Sequence, residues 1–143
     1  MKKIIVTIFA FTIMFLCGGC EKKAEYEFLH DLSEISTIEI VKIGEAIEGE
    51  EIIPMTSTCV VTNKDDFLIE FLEMSCYSAW GDPQSVREEA TVIKIIYNNE
   101  EFELIDVGGQ SEYTHERGYR HYAGYRYFDE NQFEKLLSKY CSE

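Results

Sequence analysis

The chain has 143 residues, of which 45% are hydrophobic and 13% aromatic. This length and composition are typical of one folded domain and argue against a disordered chain. The formal net charge of -14 repels phosphate backbones, so nucleic acid is excluded as a partner. No sequence feature points to a cofactor, and none fixes the oligomeric state.

The chain begins with a short basic head, Met1 to Lys3, which is followed by the uncharged residues 4–19. This uncharged run is shorter than the roughly 18 residues that a membrane-spanning helix needs. A basic head, an apolar run and small residues at its end are typical of a secretory signal peptide, which is removed from the mature protein. An uncleaved anchor helix is the alternative interpretation.

The leader ends in Leu16-Cys17-Gly18-Gly19-Cys20, where an aliphatic residue and small residues precede a cysteine. This ending resembles the lipobox of bacterial lipoproteins, although Cys17 stands where that motif usually has Leu. The resemblance implies cleavage before Cys20 and attachment of a diacylglyceryl group to its sulfur. Two acyl chains hold a protein stably on a bilayer, whereas one binds only marginally. We therefore expect a lipid-anchored protein on the extracytoplasmic side of the cell membrane.

The predicted organisation has three parts: a signal peptide at 1–19, the lipidated cysteine and a tether at 20–30, and one extracytoplasmic domain at 31–143. Lys2 and Lys3 are the only charges before Cys20, so the remaining chain keeps 11 of the 13 basic residues and all 27 acidic ones. Its net charge is then -16, which suits a solvated surface and would also attract a basic partner.

Hydrophobic patterning predicts the strands of this domain at 36–43, 55–62, 91–97 and 101–107. Two asparagines at 98–99 suit a tight hairpin turn between the last two. Glu101 and Glu103 alternate with apolar residues, which predicts one buried face and one solvent-facing face for that strand. A further hairpin is predicted at 110–128, with its turn near 116–118.

Two helices are predicted, and residues 77–89 between the first helix and the next strand are predicted to be a connection made of turn residues. The first helix follows Asn63, its N-cap, and extends to about residue 74. Its predicted buried face is formed by Phe67, Leu68, Phe71 and Leu72. The second follows the N-cap Asp129, where Phe128 and Phe133 occupy the two positions of a hydrophobic staple. These elements predict an α+β fold, a mainly antiparallel sheet of about five or six strands with two helices packed on one face.

Export would also decide the chemistry of the three cysteines in the domain, because an oxidising compartment permits a disulfide. Cys76 and Cys141 each fall just past a predicted helix, so we predict this pair as a candidate disulfide. The absence of any bridge is the alternative. Cys59 is interpreted as a small buried apolar residue of a strand.

The segment from Tyr113 to Phe128 gathers tyrosine, arginine and histidine in a chain that is otherwise strongly acidic. Tyrosine and arginine are enriched in binding hot spots, which makes this segment a candidate contact surface for a protein or a glycan. The alternative is a pair of aromatic strands whose tyrosines pack cross-strand while the arginines pair with acidic residues. The candidate surface residues are Tyr113, Tyr119, Arg120, Tyr122, Tyr125 and Arg126.

No catalytic constellation and no metal site is predicted. His115, Glu116 and His121 match none of the strong zinc spacings. A nucleophile pair of Cys76 with either histidine has no local signature to support it. The preferred functional prediction is a non-enzymatic, membrane-anchored binding module. The alternatives are a small extracytoplasmic hydrolase and an acidic inhibitor or immunity-type partner of a basic protein.

Overall fold

The computed structural model of the chain describes residues 22–44, 54–79, 89–107, 109–114, 118–121 and 125–141. The predicted signal peptide and Cys20 lie outside these ranges. The strands, in chain order, are β1 (Lys22–Lys23), β2 (Ile35–Ile43), β3 (Met55–Val60), β4 (Cys76–Ala79), β5 (Thr91–Tyr97), β6 (Phe102–Asp106), β7 (Gly109–Thr114), β8 (Gly118–His121) and β9 (Tyr125–Phe128). The helices are α1 (Lys64–Glu73) and α2 (Glu130–Tyr140), and a 3-10 turn lies at Leu32–Glu34.

The strands form two antiparallel sheets, a larger one in the order β3-β2-β5-β6-β7-β8 and a smaller one in the order β1-β4-β9. One hydrophobic core joins both helices to one face of the larger sheet; it includes Phe67 and Phe71 of α1, Phe133 of α2, and Ile93 and Ile95 of β5. The smaller sheet contributes to the same core. The predicted α+β class is therefore confirmed, with both helices on one face of a six-stranded sheet.

The opposite face of the larger sheet also buries apolar side chains. Val41, Ile43, Val92 and Leu104 form a second cluster there, and each is at most 1% exposed. Strands β2, β5 and β6 are therefore buried on both faces, so apolar residues occur at successive positions and the alternation that marks a half-exposed strand is lost.

The folded domain begins earlier in the chain than the sequence predicted. Strand β1 pairs with β4, and the amide of Ala24 donates to the carbonyl of Cys76 at 2.9 Å. Tyr26 is a core residue at 8% exposure, and Phe28 and Leu29 pack against the same core. Residues 22–30 therefore belong to the domain, and their prediction as a tether was wrong. Apolar residues spaced through a charged segment were the signal of this packing.

Both helices begin where their capping residues predicted. The side chain of Asn63 accepts from the amide of Asp66 at 3.3 Å, and that of Asp129 accepts from the amide of Gln132 at 2.9 Å. The hydrophobic staple is also present, since the rings of Phe128 and Phe133 lie 5.7 Å apart. Local pairs of this kind depend on neighbours within one helical turn, which is why sequence reveals them.

One predicted core position of α1 is wrong. Phe67, Leu68 and Phe71 are buried, but Leu72 is 48% exposed and Ile69 is 57% exposed. The helix contacts the sheet through a narrower stripe than the predicted one. Its outer side therefore carries two exposed aliphatic residues.

The predicted hairpin between β5 and β6 is confirmed, although its strained residue is not an asparagine. The amide of Glu100 donates to Tyr97 at 3.0 Å and the amide of Tyr97 donates to Glu101 at 2.9 Å, so the loop has three residues. Glu100 has the positive φ of 67°, as expected for the third loop residue of such a hairpin. Asn99 instead stabilises the turn by accepting from the amide of Glu101 through its side chain, at 3.0 Å.

The predicted disulfide between Cys76 and Cys141 was wrong. Cys141 is bonded to Cys59 of β3, with the two Cα atoms 5.8 Å apart, and Cys76 is a buried thiol of β4. The prediction placed Cys76 just past a helix end, whereas residues 76–79 form a strand that overlaps the predicted connection at 77–89. Cys76 is buried in this strand, and the end of α2 is bonded to the edge strand β3 instead.

Candidate functional site

The tyrosine- and arginine-rich segment is divided between the two sheets. Tyr113 lies in β7, and Tyr119 and Arg120 lie in β8, at the edge of the larger sheet. Tyr125 and Arg126 lie in β9, at the edge of the smaller sheet. Strands β7 and β9 contact each other, so the structure brings the segment together along one seam between the sheets. Tyr122 lies outside the described residues.

The register of these strands places tyrosine opposite tyrosine and arginine opposite glutamate. Tyr113 is opposite Tyr119, and Arg120 is opposite Glu112. In the smaller sheet Tyr127 is opposite Tyr77, and their rings stack at 5.3 Å. The predicted hairpin at 110–128 is thus confirmed for β7 and β8, while Glu116 and Arg117 of its predicted turn lie outside the described residues. The register also matches the alternative interpretation, in which the tyrosines pair across strands.

A carboxylate buried in the larger sheet is the most unusual polar feature of the described residues. Glu103 of β6 has no exposed surface. The hydroxyl of Tyr26 donates to it at 2.7 Å, the hydroxyl of Tyr97 donates to its other oxygen, and the amide of Leu29 donates at 3.3 Å. A buried carboxylate that lacks donors is strongly destabilising, so these three donors are what allow Glu103 to lie in the core.

The Tyr97 hydroxyl of this cluster remains a hydrogen-bond donor at physiological pH. Burial, followed by the negative charge of Glu103, raises the pKa of the Tyr97 hydroxyl far above its usual range. The hydrogen bonds of the cluster fix the segment that contains Tyr26 and Leu29 against the sheet.

A second polar group extends the cluster towards the surface. Nε2 of His30 lies 2.6 Å from Glu101, which also accepts from the side-chain amide of Asn99 at 2.9 Å. The ring of His30 packs edge-on against Tyr97 at 4.7 Å. The His30 and Glu101 side chains are 27% and 35% exposed. Solvent therefore reaches this group, but not Glu103 behind it.

The predicted solvent-facing side of β6 was wrong at Glu103. Glu103 and Ile105 lie on the face towards the main core, and Leu104 on the other face is buried in the second cluster, so β6 has no solvent-facing side. No local signal could reveal this, because Tyr26 and Leu29 are 77 and 74 residues away in sequence. Only Tyr97, across the hairpin, is a near neighbour.

A cleft of about 390 Å³ lies between α2 and the ends of β5 and β6. Its acidic lining residues are Glu89, Asp106, Glu130 and Glu134, and apolar residues such as Phe133 form its floor. Asp106 is only 3% exposed. The cleft therefore combines an apolar floor with a negative rim, and this arrangement suits a cationic side chain with an aliphatic stem.

The two described residues considered for a nucleophile pair lie in different sheets. Cys76 pairs with Phe128 in the smaller sheet, and His121 pairs with Ser111 in the larger one. His115 and Glu116 lie outside the described residues. Within the described ranges, no group of three His, Cys, Asp or Glu side chains could hold a metal ion.

Comparison with known protein families, with curated proteins and with solved structures finds no significant match. Within the residues that the structure describes, neither helix is long and apolar enough to cross a membrane.

Proposed function

We propose that this chain is a lipoprotein of the extracytoplasmic membrane surface, held there by acyl chains on Cys20, and that it acts as a non-enzymatic binding module. The proposal begins from the leader that ends at Cys20 and from its resemblance to a lipobox. The fold supports it because the first strand begins at Lys22, directly after the expected cleavage position.

The observation that carries the proposal is the disulfide between Cys59 and Cys141. It joins an edge strand to the end of the last helix across a sequence separation of 82 residues. Disulfides persist in exported proteins and are rare in a reducing cytosol. The export leader and the disulfide in the folded part are two independent features, and both are expected of a protein that resides in an oxidising compartment.

The burial and the positions of the polar side chains favour a binding role over catalysis. The buried carboxylate of Glu103 has three donors and no contact with solvent. Cys76 and His121, which an enzyme would have to bring together, are in different sheets. The proposed contact surface is the seam between the sheets, with a protein or glycan as partner. Its candidate residues are Tyr113, Tyr119, Arg120, Tyr122, Tyr125 and Arg126.

A second candidate function is binding of a basic protein. The specific observation in its favour is the negative cleft beside α2, where the nearly buried Asp106 lies behind Glu130 and Glu134. A net charge of this sign would steer a cationic partner, and the association rate would fall steeply as salt is added. Binding at the tyrosine-rich seam would depend far less on salt.

To test the proposed lipid attachment, two cysteine variants of the full chain are compared in cells supplied with labelled fatty acid. Cys20→Ser should lose the label and leave an unprocessed precursor. Cys17→Ser changes the neighbouring thiol and should keep both label and processing, so it is the matched control. Label that survives Cys20→Ser, or that is lost only in Cys17→Ser, would refute the assignment.

A further inference from the structure

The segment that connects the proposed lipid to the folded domain is very short. Only Glu21 separates Cys20 from Lys22, the first residue of β1. Two residue steps reach at most about 7 Å. The polar zone on each side of a bilayer is about 6 Å thick, so an acylated Cys20 would leave β1 at the outer edge of the headgroups.

Strand β1 is held to the domain by backbone hydrogen bonds, so more reach requires breaking them. It is paired with β4, and the next residue, Ala24, is hydrogen-bonded to Cys76 at 2.9 Å. Two residues further on, Tyr26 is in the core and donates to Glu103. Extending the tether beyond Glu25 would therefore also break the buried cluster. The attachment holds the smaller sheet, not a flexible segment, next to the membrane.

The register shows which residues share that end of the sheet. Ala79 and Tyr125 form the row at the anchor end. Lys22, Ser78 and Arg126 form the next row across the three strands, and Lys23, Tyr77 and Tyr127 form the one after it. Neighbouring strands are about 4.8 Å apart, so each three-strand row is about 10 Å wide. We call the two three-strand rows the anchor-side rows.

The composition of the anchor-side rows suits lipid headgroups. They contain three basic residues, two tyrosines and no Asp or Glu, in a chain whose net charge is -14. Basic residues beside a membrane are attracted to anionic headgroups, and tyrosine is enriched at the membrane–water interface. Tyr77 and Tyr127 are partly exposed and stacked on each other, which gives a preformed aromatic surface.

We propose that the partner of the anchor-side rows is the bilayer itself, and that their contact with the headgroups fixes the orientation of the domain. This inference rests on the proposed lipidation of Cys20. Elsewhere the acidic surface is repelled by anionic lipid, so the domain stands on the smaller sheet and presents the larger one outwards. The headgroups then occupy Tyr125 and Arg126 of the smaller sheet, and the surface left for a protein or glycan is its part on the larger sheet, at Tyr113, Tyr119 and Arg120.

The chain contains its own reporter for this contact. Trp80 is the only tryptophan in the sequence. It directly follows Ala79, the residue that ends β4 one position beyond Ser78, towards the anchor. The lipidated full chain is reconstituted into vesicles of phosphatidylcholine and phosphatidylglycerol that contain a quencher either on the headgroup or deep in the acyl chain. Trp80 should lose most of its fluorescence to the headgroup quencher and little to the deep one.

Two matched variants separate orientation from attachment. A twenty-residue Gly/Ser insertion between Glu21 and Lys22 keeps the lipid but allows about 25 Å of separation, so it should restore the fluorescence. In the second variant, Trp80→Phe with Asn98→Trp, the reporter moves to the exposed turn between β5 and β6, where the headgroup quencher should have little effect.

The outcomes also separate this inference from the proposed function. If Trp80 of the lipidated chain is unquenched, or quenched equally with the insertion, the orientation is wrong although the anchor stands. If intact mass shows an unmodified Cys20 thiol, the proposed function fails and the orientation fails with it.

Discussion

The two ends of the described chain are attached to the larger sheet by different physical means. The N-terminal segment, residues 22–34, is held by hydrogen bonds from Tyr26 and Leu29 to the buried Glu103. The C-terminal helix α2 is held by its apolar face, by the disulfide to Cys59 and by a surface ion pair between Lys139 and Glu70 of α1.

This difference determines how each attachment fails. Hydrogen bonds to a buried charge depend on every donor being in place, because a donor or charge left unpaired in the core is costly. A disulfide acts mainly by restricting the unfolded chain, and a surface ion pair is weakened by water and salt. The N-terminal attachment should therefore respond to single polar substitutions, and the C-terminal one to reduction.

The largest expected effect is on the C-terminal attachment. Reduction, or Cys59→Ala with Cys141→Ala, should lower the free energy of unfolding by about 4.5 kcal/mol, because the bond closes a separation of 82 residues. Chemical denaturation with and without reductant measures it. Cys76→Ala should keep its sensitivity to reductant; if it became insensitive, the pairing would be wrong.

The next effect is on the N-terminal attachment. Glu103→Ala leaves the hydroxyls of Tyr26 and Tyr97 without an acceptor and opens a cavity, so the free energy of unfolding should fall by about 3 kcal/mol. Glu101→Ala, two residues away at the partly exposed position, is the matched control and should lose less. Equal losses in urea denaturation would show that Glu103 is no more important than a surface residue.

Alkaline pH should weaken the same attachment. The pKa of Tyr97 is raised in the folded protein, so its contribution to stability is complete below the tyrosine pKa of the unfolded chain, near 10, and is lost as pH rises towards the folded value. Stability measured from pH 8 upwards should decline above about pH 10. Tyr97→Phe should decline less steeply than Tyr77→Phe, and an identical decline in both would contradict the assignment.

The smallest effect should come from the surface ion pair. The hydrogen bond from Lys139 lowers the pKa of the Glu70 carboxyl, but water surrounds both groups and screens their attraction. Lys139→Ala should therefore leave the denaturation midpoint close to that of the unchanged protein. A loss as large as that of Glu103→Ala would reverse the comparison between the two ends.

The parts of the fold that sequence predicted depend on local signals. The N-caps Asn63 and Asp129, the staple of Phe128 with Phe133, and the strand at 91–97 all follow from residues within a few positions of each other. The α+β class followed from the number and order of such elements.

The parts that sequence missed depend on distant partners. Glu103 is buried against Tyr26, which is 77 residues away in sequence. Cys59 is bonded to Cys141, which is 82 residues away. Strand β4 has four residues and was hidden among turn-forming neighbours. The candidate surface was predicted from composition alone, which could not show that its residues are shared between two sheets.

We propose that Cys20 carries the lipid that holds this domain at a membrane, and the intact mass of protein extracted from membranes would reveal that lipid. We expect a chain that lacks residues 1–19, carries a diacylglyceryl group on its first residue and contains one disulfide. A full-length chain with no lipid, recovered outside the membrane fraction, would contradict it.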